Sequence, residues 1–261
     1  MLTKLFLFFL LNSSSYQAQQ SPLSFSKIKS ERVIIDKDSI RLRVEDINSK
    51  TPFQIDYTPL LEETIINYLE NRQATYLELY SKSDYFFPIF ENALQKYNVP
   101  LELKYIPVIE SALNPRAKSR VGATGLWQFM FNTAKDLDLK VNSYVDERMD
   151  PIKSSEAAAK YLSELYARFN DWNLAIAAYN YGPGNIRRAI KASGYSNFWN
   201  LRGYLPKETA NYVPSFIATL YLFEFAHKHE IKMKSKEMKL ALTDSIPIKK
   251  MVSFSHIADK I

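Results

Sequence analysis

Carboxylates are the chain's candidates for chemistry, because the alternatives are scarce. There is no Cys, and the three His are His227, His229 and His256. Zero Cys excludes a thiolate nucleophile, thiolate zinc, iron–sulfur clusters, disulfide staples and a lipid-modified N-terminal Cys. All six glycines fall between Gly122 and Gly203, and every His lies beyond them. A Ser-His-Asp triad or a His-bound metal would need a His among those loops. The His227-Lys228-His229 pair reads instead as a solvated helix end. No glycine loop followed by Lys-Ser/Thr is present to cradle phosphate. The expectation is no metal and no cofactor.

Among the acids, Glu110 stands apart. It follows Tyr105-Ile106-Pro107-Val108-Ile109 and precedes Ser111-Ala112-Leu113. A carboxyl in apolar surroundings resists ionisation, so its pKa should rise. That is what a general acid needs near neutral pH. On these residues alone, a capping or exposed Glu at a helix end reads equally well. A carboxyl acting as a general acid often works with a second carboxylate across the reacting bond. Glu147 and Asp150 share a polar loop with Arg148, where ion pairing is the plainer reading. Glu208 either supports the site or simply begins a helix.

These residues need helices to position them. From Pro59, apolar residues recur at helical steps: Leu60, Leu61, Thr64, Ile65 and Tyr68. Thr75 to Tyr80 and Tyr85 to Tyr97 continue the style. Asn98-Val99-Pro100 stops it, and a helix restarts near Glu102. Ser154 or Ser155 is a fair N-cap for a helix with Ala158, Tyr161, Leu162, Leu165, Tyr166 and Phe169 on its apolar face. Trp172 to Tyr179, Asn185 to Lys191 and Glu208 to His227 follow, with Gly182-Pro183-Gly184 as a break. No multi-strand pattern exists in 57–230, so the class is all-α.

The flanks read differently. Lys4 followed by Leu5 to Leu11, then a Ser- and Gln-rich exit to Ala18, describes a secretory signal over residues 1–18. Its apolar run is far shorter than the ~20 residues of a membrane span. Residues 19–56 read as an extended N-terminal arm, with β-favouring pieces at 32–35 and 41–44. Residues 57–82 read as a helical extension and 83–230 as the main helical domain. Residues 231–261 are a Lys-rich tail, read as the start of an incomplete module. The net charge of +6 suits a polyanionic envelope, and no nucleic-acid motif accompanies it. Location in the periplasm or cell envelope follows from the signal.

Five segments then occur in order: Glu110-Ser111-Ala112-Leu113-Asn114-Pro115; Gly122-Ala123-Thr124-Gly125-Leu126-Trp127-Gln128-Phe129; Asp146-Glu147-Arg148-Met149-Asp150-Pro151; Ala178-Tyr179-Asn180-Tyr181-Gly182; and Glu208-Thr209-Ala210-Asn211-Tyr212-Val213. Over about residues 83–225 this resembles the lytic murein transglycosylases with the soluble-lytic-transglycosylase, goose-lysozyme-like fold. The membrane-bound lytic murein transglycosylase D branch is the nearest in look. The resemblance implies Glu110 as the catalytic acid, with Ser111 beside it. It implies Gly125, Trp127, Gln128 and Phe129 on one wall of a glycan site, with Tyr179, Asn180 and Tyr181 on the other. Glu208 and Tyr212 would flank the cleft. Trp127 either stacks on sugar or packs beneath the loop with Gln128 exposed. Tyr181 stands where Ala or Ser is usual, and Pro183 where Glu is common.

The family's route uses one carboxylate, acid then base, to cut between N-acetylmuramic acid and N-acetylglucosamine. The product is a 1,6-anhydro-muramyl end. The partner implied is the peptidoglycan glycan strand; nucleic acid is not expected. Peripheral association with cell wall or membrane and a monomeric state are expected. A hydrolytic muramidase and a degenerate peptidoglycan-binding protein are the competing readings. Intact Glu110, Gln128, Tyr179 and Asn180 argue against the second of these.

Overall fold

A helix that is apolar on every side must be surrounded by other elements. The segment Thr209 to Leu222 has that character, and all of it is buried except the half-buried Asn211. The computed structural model describes residues 35–231 and builds ten helices there. They are Lys37–Lys50 (α1), Pro59–Asn71 (α2), Gln73–Lys96 (α3), Ile106–Ser111 (α4), Phe131–Asp136 (α5), Pro151–Phe169 (α6), Trp172–Tyr181 (α7), Pro183–Ser193 (α8), Phe198–Leu201 (α9) and Lys207–Phe225 (α10). Four short 3₁₀ turns complete the order, and no strand beyond isolated bridges occurs among the described residues. Helix α10 is the axis: α1, α2, α4 and α7 pack on it, while α3 and α7 flank α6. The all-α class is borne out. Among the described residues no helix is long and apolar enough to cross a membrane.

Pro214 sits inside α10 and cannot donate to the carbonyl four residues back. That carbonyl, on Ala210, accepts instead from Arg202 Nε at 2.9 Å. The axial helix therefore keeps its buried backbone satisfied across the proline.

The extended arm expected over 19–56 is corrected where the structure describes it. Residues 37–50 are helical, capped by the Asp36 side chain accepting from Asp38 N. Ile40, Val44 and Ile47 are buried. The run at 41–44 looks β-favouring only in a four-residue window; the spacing of 40, 44 and 47 is helical. The boundary expected at 82/83 falls inside α3, which runs unbroken through it. The polar stretch at 81–84 is part of that helix, where Ser83 is buried and its Oγ donates to Tyr80 O at 2.7 Å. The cap of α6 is Asp150, accepting from Ile152 N and Lys153 N, with Pro151 next. Ser154 and Ser155 are buried within the first turn and bond back to Asp150 O and Pro151 O. Trp172 packs in the core, stacked at 4.2 Å on Tyr166. The signal, the first part of the arm and nearly all of the tail lie outside the described residues.

His227 is exposed as expected, but His229 is not: it retains 5% exposure. Its Nε2 lies 2.8 Å from Tyr221 Oη and 3.0 Å from Arg43 Nη1, joining α1 to the end of α10. An Nε2 facing two donors is the unprotonated acceptor of a neutral ring. Burial, then the Arg43 and His227 charges, lower its pKa to about 4. The folded state thus binds this proton less readily than the unfolded chain. Its contribution is complete above about pH 6.5 and is lost as pH falls toward 4, on the order of 3 kcal/mol in all. Urea unfolding at pH 7 and pH 4.5 should show the loss in the parent and a smaller one in His229→Gln. Identical slopes in the two proteins would refute the placement of this proton.

Candidate active site

Glu110 is the penultimate residue of α4, a helix of six residues. The helix stops because Ala112 (φ 51°) and Leu113 (φ 54°) both turn left-handed. Ala112 N donates to Val108 O at 3.1 Å and Leu113 N to Pro107 O at 3.3 Å, which satisfies the last carbonyls. Leu113 is buried and anchors the exit. Ser111 Oγ donates to Pro107 O at 2.9 Å, so its hydroxyl steadies the helix end. Half-buried, Glu110 accepts at Oε1 from Tyr212 Oη of α10, 2.5 Å away.

The loop after α4 is held without any sheet. Gly125 N donates to Ala117 O at 2.9 Å, Ser119 N to Ala123 O at 2.9 Å, and Thr124 N to Phe129 O at 3.1 Å. Gly125 has φ +84°, and a Cβ there would lie 1.8 Å from Arg148 O. Only glycine fits that backbone-on-backbone approach. Arg148 itself is buried, and its Nη1 donates to Gly122 O at 3.0 Å and Phe129 O at 3.2 Å. Asp146 holds it at two points, Nε–Oδ1 2.8 Å and Nη2–Oδ2 2.7 Å. The guanidinium keeps the Asp146 carboxyl below its usual range.

Three residues expected on the glycan wall turn inward. Trp127 is fully buried; its Nε1 donates to Ser155 Oγ at 2.9 Å and its ring meets Phe90 edge-on at 5.2 Å. Packing beneath the loop is thus the reading of Trp127 that holds. Gln128 is not exposed with it. Its Nε2 donates to Gly125 O at 2.8 Å and Ala117 O at 3.2 Å, because the tight turn leaves those carbonyls to be satisfied. Phe129 is also in the core, 6.1 Å from the Tyr179 ring.

Helices α7 and α10 supply the opposite side. Tyr179 is buried and its Oη donates to Trp127 O at 2.7 Å, tying α7 to the loop. Burial and then the Glu110 charge push its phenol well above the ordinary range, and the same two causes act in that order on Tyr212. Asn180 is buried, its Oδ1 accepting from Thr209 Oγ1 at 2.9 Å. Tyr181 is half-buried where α7 gives way to Gly182 at φ +90°. Glu208, also half-buried, lies in the first turn of α10, and its charge is felt by Tyr212. Glu110, Tyr179, Tyr212 and Glu208 thus share one electrostatic neighbourhood.

The remaining acids are occupied. Glu147 Oε1 accepts from Lys153 Nζ at 2.5 Å and its Oε2 from Lys140 N at 2.7 Å, and these bonds hold the carboxyl low. Asp150 caps α6. Ion pairing and capping are therefore their roles here. Among the described residues no cluster of His, Asp and Glu is arranged to hold a metal ion. Sequence reasoning missed the support given by Arg148, Asp146 and Ser155. The Asp146-x-Arg148 spacing beside Asp150-Pro151 was a signal, but the carbonyls that Arg148 serves are far away in sequence.

Comparison with known proteins bears out the resemblance. Residues 87–202 match the family described as Transglycosylase SLT domain. The chain is 34% identical over 171 residues to the membrane-bound lytic murein transglycosylase D of Escherichia coli K12, covering 64% of this chain and 37% of that protein. It is 34% identical over 137 residues to the soluble lytic murein transglycosylase of Salmonella typhimurium, covering 49% of this chain and 21% of that one. The chain thus spans little more than a third of the first of these relatives. A solved complex of the 70-kDa soluble lytic transglycosylase with bulgecin A superposes with a TM-score of 0.50 at 22% identity, over 73% of this chain and 35% of that one. The shared fold is lysozyme-like.

The Gly125 contact gives a direct check on the loop. Gly125→Ala should lose roughly 3 kcal/mol or more in urea unfolding, since the 147–149 turn must move and a positive φ must bear a side chain. A loss under about 1 kcal/mol would show that the two turns do not pack this closely.

Proposed function

We propose that the chain is a lytic transglycosylase of the cell envelope, with Glu110 as acid and then base. The observation that carries the reading is the Tyr212–Glu110 bond at the end of α4, inside the matched domain. The substrate is the bond between N-acetylmuramic acid and N-acetylglucosamine in peptidoglycan. Protonated Glu110 gives its proton to the bridging oxygen as the bond to C1 breaks, and the electron pair leaves with that oxygen. The muramyl acetamide assists the departure. The Glu110 carboxylate then takes the proton of the C6 hydroxyl, whose oxygen closes on C1. One C–O bond is broken and one formed, no water is consumed, and a 1,6-anhydro end results. An internal nucleophile avoids the entropic cost of recruiting an external one.

Tyr212 supports the charged stage of this cycle. A phenol that donates to the carboxylate steadies it after the proton has left. Its own burial keeps it protonated, so its role as donor is fixed. Tyr179 and Asn180 act behind it, holding α7 against the loop and α10. The sugar side of the site is then formed by Ser111, the backbone of 125–128, Tyr181 and Glu208. The expected export signal supports a periplasmic or envelope location for this activity.

Mass spectrometry of the soluble products from purified sacculi should find 1,6-anhydro-muramyl ends; reducing ends would mean a hydrolytic muramidase instead. Glu110→Gln should melt close to the parent temperature and lose about 10²–10⁴ in turnover. Undiminished turnover would sink the assignment of the acid. Tyr212→Phe removes one hydrogen bond to a charged group, worth about 1.5–3 kcal/mol, and should lower kcat about 10- to 100-fold with little change in KM. A KM effect alone would make Tyr212 a substrate contact rather than a support for Glu110.

A further inference from the structure

The segment that leaves the candidate active site carries three cations on one edge. Along 115–120, exposure alternates: Pro115, Ala117 and Ser119 are half-buried, while Arg116, Lys118 and Arg120 are exposed. The inward side is pinned. Ala117 O accepts from Gly125 N at 2.9 Å and from Gln128 Nε2 at 3.2 Å. Ser119 Oγ accepts from Ala123 N at 3.0 Å, and Lys118 is bridged to Thr124. The same loop carries Trp127 O, the acceptor of Tyr179. The outward edge is therefore held on the frame that holds the site, six to ten residues beyond Glu110.

Among the described residues none of these three cations forms an ion pair with an Asp or Glu. The carboxylate that Lys118 influences, Asp146, is already held at two points by Arg148. Three like charges brought together on a braced edge repel one another unless an anion is present. Cations on a braced segment that are left to solvent are available to a ligand.

We infer that Arg116, Lys118 and Arg120 take the carboxylates of the peptides that hang from the glycan. This rests on the lytic transglycosylase reading and adds a substrate preference to it. When a stem peptide is attached, the muramyl lactyl group is an amide and the sugar chain itself carries no charge. The anions then lie only on the peptide, lateral to the scissile bond. A basic edge on the loop that follows the acid, six to ten residues on, matches that layout. Guanidinium groups add two-point recognition of a carboxylate. The preferred substrate is glycan whose stems have free carboxylates rather than carboxamides.

The test uses binding, which does not depend on turnover. A disaccharide tetrapeptide and the same compound with its carboxyls converted to amides are titrated calorimetrically into the full chain. The parent should bind the carboxylate form about tenfold more tightly, a difference that small exposed ion pairs can supply together. Rising salt should erode the difference. The variant Arg116→Gln/Lys118→Gln/Arg120→Gln, with its melting temperature checked, should bind the two forms alike. If that variant fails to fold, Lys118→Gln alone should narrow the difference about twofold. Equal affinity of the parent for the two forms, or full discrimination by a folded variant, overturns the inference. Competition by poly(glycerol phosphate) without such discrimination assigns the edge to phosphate polymers and also overturns it. Failure of the lytic reading is seen separately, as an absence of anhydro ends from the parent.

Discussion

The Tyr212–Glu110 hydrogen bond is the contact on which the arrangement of the site turns. Tyr212 is buried on the axial helix, and a buried phenol without an acceptor costs about 1–3 kcal/mol. Glu110 ends a helix too short to have its own independent stability. The bond meets the need of one group with the exposure of the other. It also fixes the distance between α4 and α10, two elements far apart in sequence. Tyr179 then stands behind the pair rather than in it, because its hydroxyl is committed to Trp127 O. Both phenols are held protonated by burial and by the nearby Glu110 charge. The direction of the Tyr212–Glu110 bond is thus set by the fold.

A helical protein that needs an irregular wall has no sheet to satisfy the loop's carbonyls. Here side chains do it. Gln128 serves Gly125 and Ala117, Arg148 serves Gly122 and Phe129, and Arg202 serves Ala210 where Pro214 cannot. Each is a long side chain with planar N–H donors aimed inward, so each also loses the freedom to contact a ligand. Gly125 completes the design by letting the 147–149 turn lie directly on the loop. The charge of Arg148 is tolerable in this buried place because Asp146 meets it in a two-point pair and two carbonyls take the rest.

Much of this architecture is legible in the amino-acid sequence. The apolar stripes of α2, α6 and α10 stand out because their period extends over several turns. So does Glu110, from its apolar neighbours and the ordered segments after it. Helix α1 does not, because Arg41 to Val44 imitates a strand over four residues and its buried partners lie in α10. The cap of α6 is easily misplaced because Ser154 and Ser155 look like caps, whereas Asp150-Pro151 is the stronger pair. His229 misleads for a related reason: its burial comes from Arg43 and Tyr221, not from its own neighbours. The orientation of Trp127 and Gln128 has no local signal. An amide has the same composition whether it faces a sugar or a carbonyl, and only the tight turn at Gly125 decides.

The inward turn of Trp127, Gln128 and Phe129 has a consequence for what the site can distinguish. Residues committed to the frame cannot be altered without loosening it, so they fix the shape of the wall. A wall made of backbone reads shape and hydrogen-bond pattern, which the proposed substrate, a repetitive sugar chain, would present identically at every repeat. Discrimination between one stretch of polymer and another must then come from groups that the frame leaves outward. On the loop after Glu110 and at the end of α7, the outward groups include the exposed cations along 116–120 and the half-buried Tyr181. An aromatic ring answers to the face of a sugar, and a cation answers to charge that the sugar lacks. The division of labour follows from packing: the fold spends its amides and aromatics on rigidity, and what remains at the surface suits the variable parts of the substrate proposed above.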